Sequence, residues 1–110
     1  MFVKIHHQIL DARLWEESSH NVMAILEAGR QPKGLKALMY LPSVDGRQAD
    51  CLWEADTMQN LKSFVEGQTA NAAKNDYFQV NVDAAVGLPG HEQPQAQKES
   101  PVEEAMHMAM

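Results

Sequence analysis

The sequence has a single cysteine, Cys51, among 110 residues. One thiol cannot form an intrachain disulfide or a cysteine-based zinc site, and low cysteine usage is typical of a reducing compartment. No apolar run approaches the roughly 18 to 20 residues that a transmembrane helix needs. The opening stretch MFVKIHHQIL also lacks the unbroken apolar core of a signal peptide. We therefore expect a cytoplasmic protein that does not enter a membrane.

Positive charge is scarce as well. Nine lysines and arginines stand against fifteen acidic residues, which gives a net charge of −6. Only Arg30, Lys33 and Lys36 lie close together in the sequence, around one turn. Binding to a phosphate backbone or an anionic lipid surface depends on a basic patch. The charge distribution therefore argues against a nucleic-acid partner.

The motifs of several large enzyme classes are absent. The sequence contains no GxGxxG, no P-loop, no GxSxG and no HExxH, so dinucleotide, nucleotide-triphosphate, serine-hydrolase and zinc-protease functions lack support. We predict no cofactor and assign no catalytic residue from the sequence. Whether the protein is an enzyme stays open.

The composition changes near Gly87. Residues 87–110 hold three of the five prolines and no aromatic residue, and their middle is rich in glutamine and glutamate. Such a segment has too little apolar surface to order itself. We predict a folded domain over residues 1–86 and a flexible tail over 87–110.

Six secondary-structure elements are predicted in the first 86 residues. Alternating or apolar runs predict strands over 2–9, 34–42, 47–55 and 77–82, and an Asp-Gly pair at Asp45 indicates a hairpin between the middle two. One helix is expected between a cap at Asp11 and Gly29. A second helix is expected to begin at Asp56, with a capping box, and to stop near Gly67. Residues 68–76 are predicted as a polar connector.

The order β-α-β-β-α-β predicts an α+β fold of the ferredoxin-like type, a four-stranded antiparallel sheet with both helices on one face. Alternation in the last strand predicts Phe78 on the helix side and Tyr77 on the opposite face, together with His6. The middle strands are apolar on both sides, as at Leu38 and Leu52. Two helices cover one sheet face, so we expect self-association to cover the other.

The stretch CLWEADTMQNLKSFV, in which a strand runs directly into a capped helix, and the closing NDYFQV resemble the dimeric α/β-barrel superfamily. The resemblance covers about residues 1–86 and is closest to small uncharacterised bacterial members. It implies a homodimer in which two ferredoxin-like subunits pack sheet against sheet. Relatives include antibiotic-biosynthesis-type monooxygenases, haem-degrading proteins and nickel-binding proteins, and no monooxygenase residue set transfers onto this sequence.

A small hydrophobic or aromatic ligand is the partner that we predict besides a second copy of the chain. His6 is a potential base or ligand in a pocket on the sheet face, and Trp53 with Glu54 ends a strand just before a helix N-terminus. Aromatic side chains can line such a pocket, although they as often simply pack. The predicted ligand-binding residues are His6, Tyr40, Trp53, Glu54 and Tyr77.

The remaining histidines and the cysteine are predicted to be structural. His6 and His7 point to opposite faces of a strand, so they cannot hold one metal ion together. His7 lies among apolar neighbours and is predicted to be a hydrogen-bonded core residue. Cys51 has no cationic neighbour in the sequence, so we expect a buried, inert thiol. His20 is predicted to lie in water on the outer face of the first helix.

Three functions remain open. The first is a small-molecule-binding or structural homodimer. The second is a cofactor-independent monooxygenase of the antibiotic-biosynthesis type, with the substrate held by Tyr40, Trp53 and Tyr77 and with His6 near the reacting carbon. The third is a nickel- or zinc-binding protein that uses His6 or His20, although the sequence itself predicts no metal site.

Overall fold

A computed structural model describes residues 1–90 of the chain. The element order is the predicted one, so the ferredoxin-like α+β fold is confirmed. The strands are β1 (Phe2–Ile9), β2 (Leu35–Pro42), β3 (Gln48–Ala55) and β4 (Ala73–Gln79), and the helices are α1 (Ala12–Glu27) and α2 (Met58–Thr69). Most of the predicted flexible tail lies outside the described residues.

The four strands form one antiparallel sheet in the order β2-β3-β1-β4. The central strand β1 pairs through Ile5 with Cys51 of β3 and with Tyr77 of β4. The β2–β3 register shifts between Ala37 and Met39, which is where a bulge inserts one extra residue. The sheet thus brings residues far apart in sequence onto the same face.

Both helices begin at a side-chain cap. Asp11 accepts a hydrogen bond from the Leu14 backbone N–H at 3.0 Å, as predicted for α1. For α2 the predicted cap is wrong by one residue, because the hydroxyl of Thr57 accepts from the Asn60 backbone N–H at 3.0 Å. Asp56 instead accepts from the backbone N–H of Thr57 and the side-chain amide of Asn60.

The end of α2 also differs from the prediction. The helix continues through Gly67 to Thr69 rather than stopping at the glycine. Val65 and Thr69 are both buried, and the Thr69 hydroxyl donates to the Val65 carbonyl at 2.8 Å. Packing of this last turn outweighs the low helix propensity of glycine, which costs about 1 kcal/mol.

The last strand begins earlier than predicted and presents the opposite face to the helices. β4 begins at Ala73, inside the predicted connector, and ends at Gln79. Its register with β1 puts Tyr77 beside Ile5 on the helix side, and Phe78 beside Lys4 on the other face. The prediction is wrong because polar groups of this strand bond to partners under the helices, whereas its apolar Phe78 is 53% exposed.

The core lies between the sheet and the helices. Its buried members are Val3, Ile5, Leu35, Trp53, Ala55, Leu61 and Val65. Helix α2 supplies two of these residues, whereas the only buried residue of α1 is Ser18. α1 therefore packs less closely, and space remains beneath it.

The face of the sheet opposite the helices, which we call the open face, exposes large apolar side chains. On it lie Met39, Leu41 and Phe78, which are 42%, 57% and 53% exposed. The ammonium group of Lys4 lies 5.7 Å from the centre of the Phe78 ring. The sequence predicts apolar side chains on both sides of the sheet, and the open face has such side chains on β2 and β4.

The chain divides into two compact units, Met1–Val80 and Asn81–Met110. In the second unit, a turn begins at Asn81, whose carbonyl accepts from the backbone N–H groups of Ala84 and Ala85. The predicted domain boundary after residue 86 stays a prediction. None of the helices within residues 1–90 is long and apolar enough to span a bilayer.

Candidate ligand-binding cleft

A cleft of about 310 Å³ lies under α1, between both helices and the helix-facing side of the sheet. This volume is at the lower end of the range for small-molecule sites. The walls are almost entirely apolar. They include Trp15, Val22 and Leu26 of α1, Phe64 of α2, and Tyr40 and Trp53 of the sheet.

Aromatic rings form much of this wall. The Trp53 ring meets the Phe64 ring edge to face, with centroids 6.0 Å apart. At the other side, the indole N–H of Trp15 donates to the Tyr40 hydroxyl at 3.1 Å. Because the Tyr40 hydroxyl is the acceptor in this bond, its O–H group is able to donate to a bound molecule. Flat rings with one polar handle suit a small aromatic ligand.

A buried histidine supplies the first polar group of the cleft. His7 is only 2% exposed, and its ring centre lies 4.8 Å from that of Trp15. Its Nδ1 is 2.6 Å from Oδ1 of Asn75. The amide nitrogen of Asn75 donates to Glu66 at 2.7 Å and to Thr69 at 2.9 Å, so the opposite amide atom is the oxygen. Nδ1 of His7 must therefore carry the proton.

The cysteine lies at the other nitrogen of this ring. Nε2 of His7 is 3.1 Å from Sγ of Cys51, and both residues line the cleft. Because Nδ1 holds the proton of the neutral imidazole, Nε2 accepts and the thiol donates. Burial raises the pKa of Cys51 to about 12, so the resting group is a thiol. The sequence does not reveal this pair, since the two residues are 44 positions apart and meet only through the β1–β3 register.

Tyr77 completes a hydrogen-bonded chain behind the histidine. Its hydroxyl donates to Glu66 at 2.6 Å, and the Lys62 ammonium group lies 5.3 Å from the centre of its ring. Burial and the Glu66 carboxylate raise the pKa of Tyr77, and the bonds from Tyr77 and Asn75 lower the pKa of Glu66. These contacts attach β4 to α2 and hold Asn75 in the orientation that fixes His7.

Two of the predicted residues lie on the open face instead. Nδ1 of His6 is 2.7 Å from Asp50, and the Lys4 ammonium group is 3.2 Å from the same carboxylate. The hydrogen bond from His6, and next the one from Lys4, lower the pKa of Asp50. Glu54 is exposed and pairs in register with Phe2 on this face.

The five predicted residues therefore separate. Tyr40 and Trp53 line the cleft, Tyr77 lies under α2, and His6 and Glu54 face the other way. Whether any of them binds a ligand stays a prediction. His7 is buried and hydrogen-bonded, as expected, and His20 is exposed on α1.

The described part of the chain, residues 1–90, contains no group of three His, Cys, Asp or Glu side chains that could hold a metal ion. His6 lies on the open face of the sheet. His20 belongs to α1, which packs on the other side of the sheet. The two histidines of the metal hypothesis thus lie on opposite sides of the subunit.

Folding stability is expected to fall as the pH drops below about 6.5, with a contribution from His7. Burial lowers the pKa of this histidine from its ordinary value of 6.5. The unfolded chain therefore takes up a proton at a higher pH than the folded chain, and stability decreases from about pH 6.5 downward. Urea denaturation at pH 7.5 and at pH 5.5 measures the loss. His6→Gln is expected to keep the pH dependence and His7→Gln to reduce it; equal dependence in both variants would contradict this assignment.

The comparisons with known proteins find likeness in three dimensions and none in sequence. No protein-family model matches the chain, and no curated protein matches it in sequence. A solved structure from Deinococcus radiodurans, provisionally assigned as an antibiotic biosynthesis monooxygenase, is similar over 82% of this chain and 100% of its own. The two chains are 15% identical, and the TM-score is 0.45. Similarity at this level says nothing about activity.

Proposed function

We propose that this protein is a cytoplasmic homodimer that binds a small apolar or aromatic molecule in the cleft under α1. The observation that carries the proposal is the cleft itself, about 310 Å³ of apolar space with aromatic walls. A well-packed core has few voids larger than a water molecule. A cavity of this size beneath a loosely packed helix is therefore better explained as a binding site than as a packing fault.

The polar groups of the cleft limit the ligand further. Tyr40 is able to donate one hydrogen bond, and Nε2 of His7 accepts one from the weak donor Cys51. A planar ring with one oxygen substituent would accept from Tyr40, or would replace the weak Cys51 donor at Nε2, and would leave no charge buried. A charged ligand would lose its hydration among apolar walls without an ion partner there.

Filling the cleft is expected to abolish this binding. Val22 lies in the wall on α1, and its neighbour Asn21 is exposed. Titration with 1-naphthol, followed by tryptophan fluorescence, gives the affinity of the native protein. We expect Val22→Phe to weaken binding at least about tenfold, which corresponds to about 1.4 kcal/mol. The matched variant Asn21→Phe is expected to bind normally; equal affinity in all three proteins, or no binding at all, contradicts the proposal.

The open face supports the homodimer. Met39, Leu41 and Phe78 expose apolar surface on it, and apolar patches on a sheet face mark association sites. Light scattering at micromolar concentration is expected to give the mass of two chains. Leu41→Glu should produce monomers, whereas Val44→Glu at the hairpin tip, where the side chain is already fully exposed, should not. A monomeric native protein would overturn this part of the proposal.

A second candidate function is cofactor-independent oxygenation of a phenolic ligand. The observation that favours it is the imidazole in the cleft, with Nδ1 held by Asn75 and with an unprotonated Nε2 that would receive a phenolic proton in place of the weak Cys51 donor. The base is then His7, since His6 faces the other side of the sheet. Oxygen uptake with hydroxynaphthalenes that is lost in His7→Gln and kept in His6→Gln would support this function. No uptake with native protein would exclude it for these substrates.

A further inference from the structure

Three side chains from three strands form a row that ends in the cleft. Sγ of Cys51 lies 3.1 Å from Nε2 of His7, and Nδ1 of His7 lies 2.6 Å from Oδ1 of Asn75. The amide is in turn anchored to Glu66 and Thr69 of α2. Thiols are activated for covalent chemistry by this arrangement, in which a base lies at hydrogen-bond distance from the nucleophile and a third group orients the base.

We propose that Cys51 and His7 form a reactive thiol–imidazole pair, positioned by Asn75, which adds to a soft electrophile bound in the cleft. The ligand class is a small α,β-unsaturated carbonyl compound or quinone. This inference rests on the proposed function, because it assigns chemistry to the ligand of the same cleft. It also replaces the sequence expectation of an inert cysteine.

The reaction is a conjugate addition and needs no further reagent. Nε2 of His7 takes the thiol proton as Sγ of Cys51 attacks the β-carbon of the ligand. A carbon–sulfur bond forms, and the electron pair of the carbon–carbon double bond moves toward the carbonyl oxygen. The imidazolium then returns the proton to the resulting enolate. The product is a thioether, and His7 is neutral again.

The cleft offers a partner for the oxygen that gains charge. Tyr40 pairs directly with Cys51 across β2 and β3, and its hydroxyl accepts from Trp15. Its own proton is therefore available to a carbonyl oxygen near the thiol. The surrounding aromatic and aliphatic walls suit a flat, uncharged electrophile.

Burial is the main effect that keeps both members of the pair neutral. Burial lowers the pKa of His7, and the neighbouring His6 on the same strand lowers it further, whereas Asp50 of β3 and Glu66 of α2 raise it. Burial and Asp50 raise the pKa of the thiol. The residues of α1, β2 and β4 nearest the pair, Trp15, Tyr40 and Asn75, carry no charge. The proton thus stays on sulfur until a ligand is attacked.

The pH dependence of alkylation tests the pair in the native protein. N-ethylmaleimide is a small apolar electrophile, and Cys51 is the one thiol in the chain, so mass spectrometry reads the labelling of a single site. An isolated thiol with a pKa of about 12 would react about tenfold faster for each pH unit, because only the thiolate attacks. With His7 as the base, the rate is expected to change by less than about threefold between pH 7 and 9, since the imidazole is neutral throughout.

Two adjacent histidines provide a matched pair of variants. We expect His7→Gln to lower the labelling rate at pH 7 at least about tenfold and to restore the steep rise with pH. His6→Gln, on the opposite face, is expected to keep the native rate and the flat profile. Circular dichroism establishes that both variants are folded. If His7→Gln does not fold, the native pH profile alone decides.

The outcomes separate this inference from the proposed function. A tenfold rise per pH unit in the native protein, or equal rates in the two variants, overturns the reactive pair. If 1-naphthol still binds in that case, the ligand-binding proposal stands without it. A flat profile that is lost in His7→Gln, together with protection of Cys51 by saturating 1-naphthol, supports both.

Discussion

Trp53→Ala is expected to lower the free energy of unfolding by about 3–5 kcal/mol, the range for removing a large aromatic side chain from a core. Trp53 is 4% exposed and belongs both to the core and to the wall of the cleft. Its ring packs edge to face on Phe64, with 6.0 Å between the centroids. Trp53 also lines the cleft, so the space that its ring leaves would join the cleft, and the full cost of a cavity is expected.

Urea denaturation followed by circular dichroism measures this loss. Trp53→Phe keeps part of the contact with Phe64 and should lose less than Trp53→Ala. Val44→Ala removes apolar atoms from a fully exposed side chain at the hairpin tip, so it is expected to change the free energy of unfolding by less than about 0.5 kcal/mol. A loss for Trp53→Ala as small as that of Val44→Ala would mean that the ring does not join the sheet to α2.

Asn75→Ala is expected to lower the free energy of unfolding by about 1–3 kcal/mol, since it leaves a buried donor without a partner. The donor is Nδ1–H of His7, which has the Asn75 oxygen as its acceptor at 2.6 Å. The same change removes both hydrogen bonds from the Asn75 side-chain amide to α2, one to Glu66 and one to Thr69. Because this hydrogen bond raises the pKa of His7 against the effect of burial, its loss should also lower that pKa further.

Two measurements distinguish this effect from simple loss of packing. The imidazole protons of His7, followed by NMR as a function of pH, report the pKa, and urea denaturation reports the stability. Lys74→Ala, at the exposed position next to Asn75, is expected to change neither quantity. An unaltered pKa for His7 in Asn75→Ala would mean that the amide does not orient the ring.

Much of the fold follows from local patterns in the sequence. β1 alternates along FVKIHHQI, the side chain of Asp11 caps α1, and Gly46 takes the positive φ that the predicted hairpin requires. These signals involve residues close in sequence, so they do not depend on the rest of the fold. The open face illustrates the same point, since the order of residues along β2 and β3 is enough to place apolar side chains on both sides of these strands.

The last strand shows where local patterns fail. The sequence around NDYFQV alternates equally well in either phase, and choosing Phe78 as the buried side follows hydrophobicity alone. The register with β1 places Asn75 and Tyr77 inward, where they bond to His7 and Glu66. A one-residue shift in strand phase exchanges every side chain between faces. The sequence-based prediction therefore places Tyr77 on the face away from the helices, whereas its side chain lies on the helix side.

The candidate site is predictable only in part. Tyr40 and Trp53 stand out in the sequence as aromatic residues, and both line the cleft. Strand alternation favours His6 over His7 as a functional group, because His6 is the histidine on the polar side, yet the cleft lies on the side of His7. No sequence spacing indicates that Cys51, His7 and Asn75 meet, since they lie on three strands and only cross-strand register joins them.

The number, type and order of the elements, the hairpin and the two-sided apolar character of the sheet can all be read from the chain, because they depend on short-range patterns of polarity and on turn residues. The cleft, the face of β4 and the Cys51–His7–Asn75 row emerge only when the elements pack together. They depend on the register of distant strands and on how closely α1 packs. A cavity or a hydrogen-bonded row is a relation between elements, so no single segment encodes it.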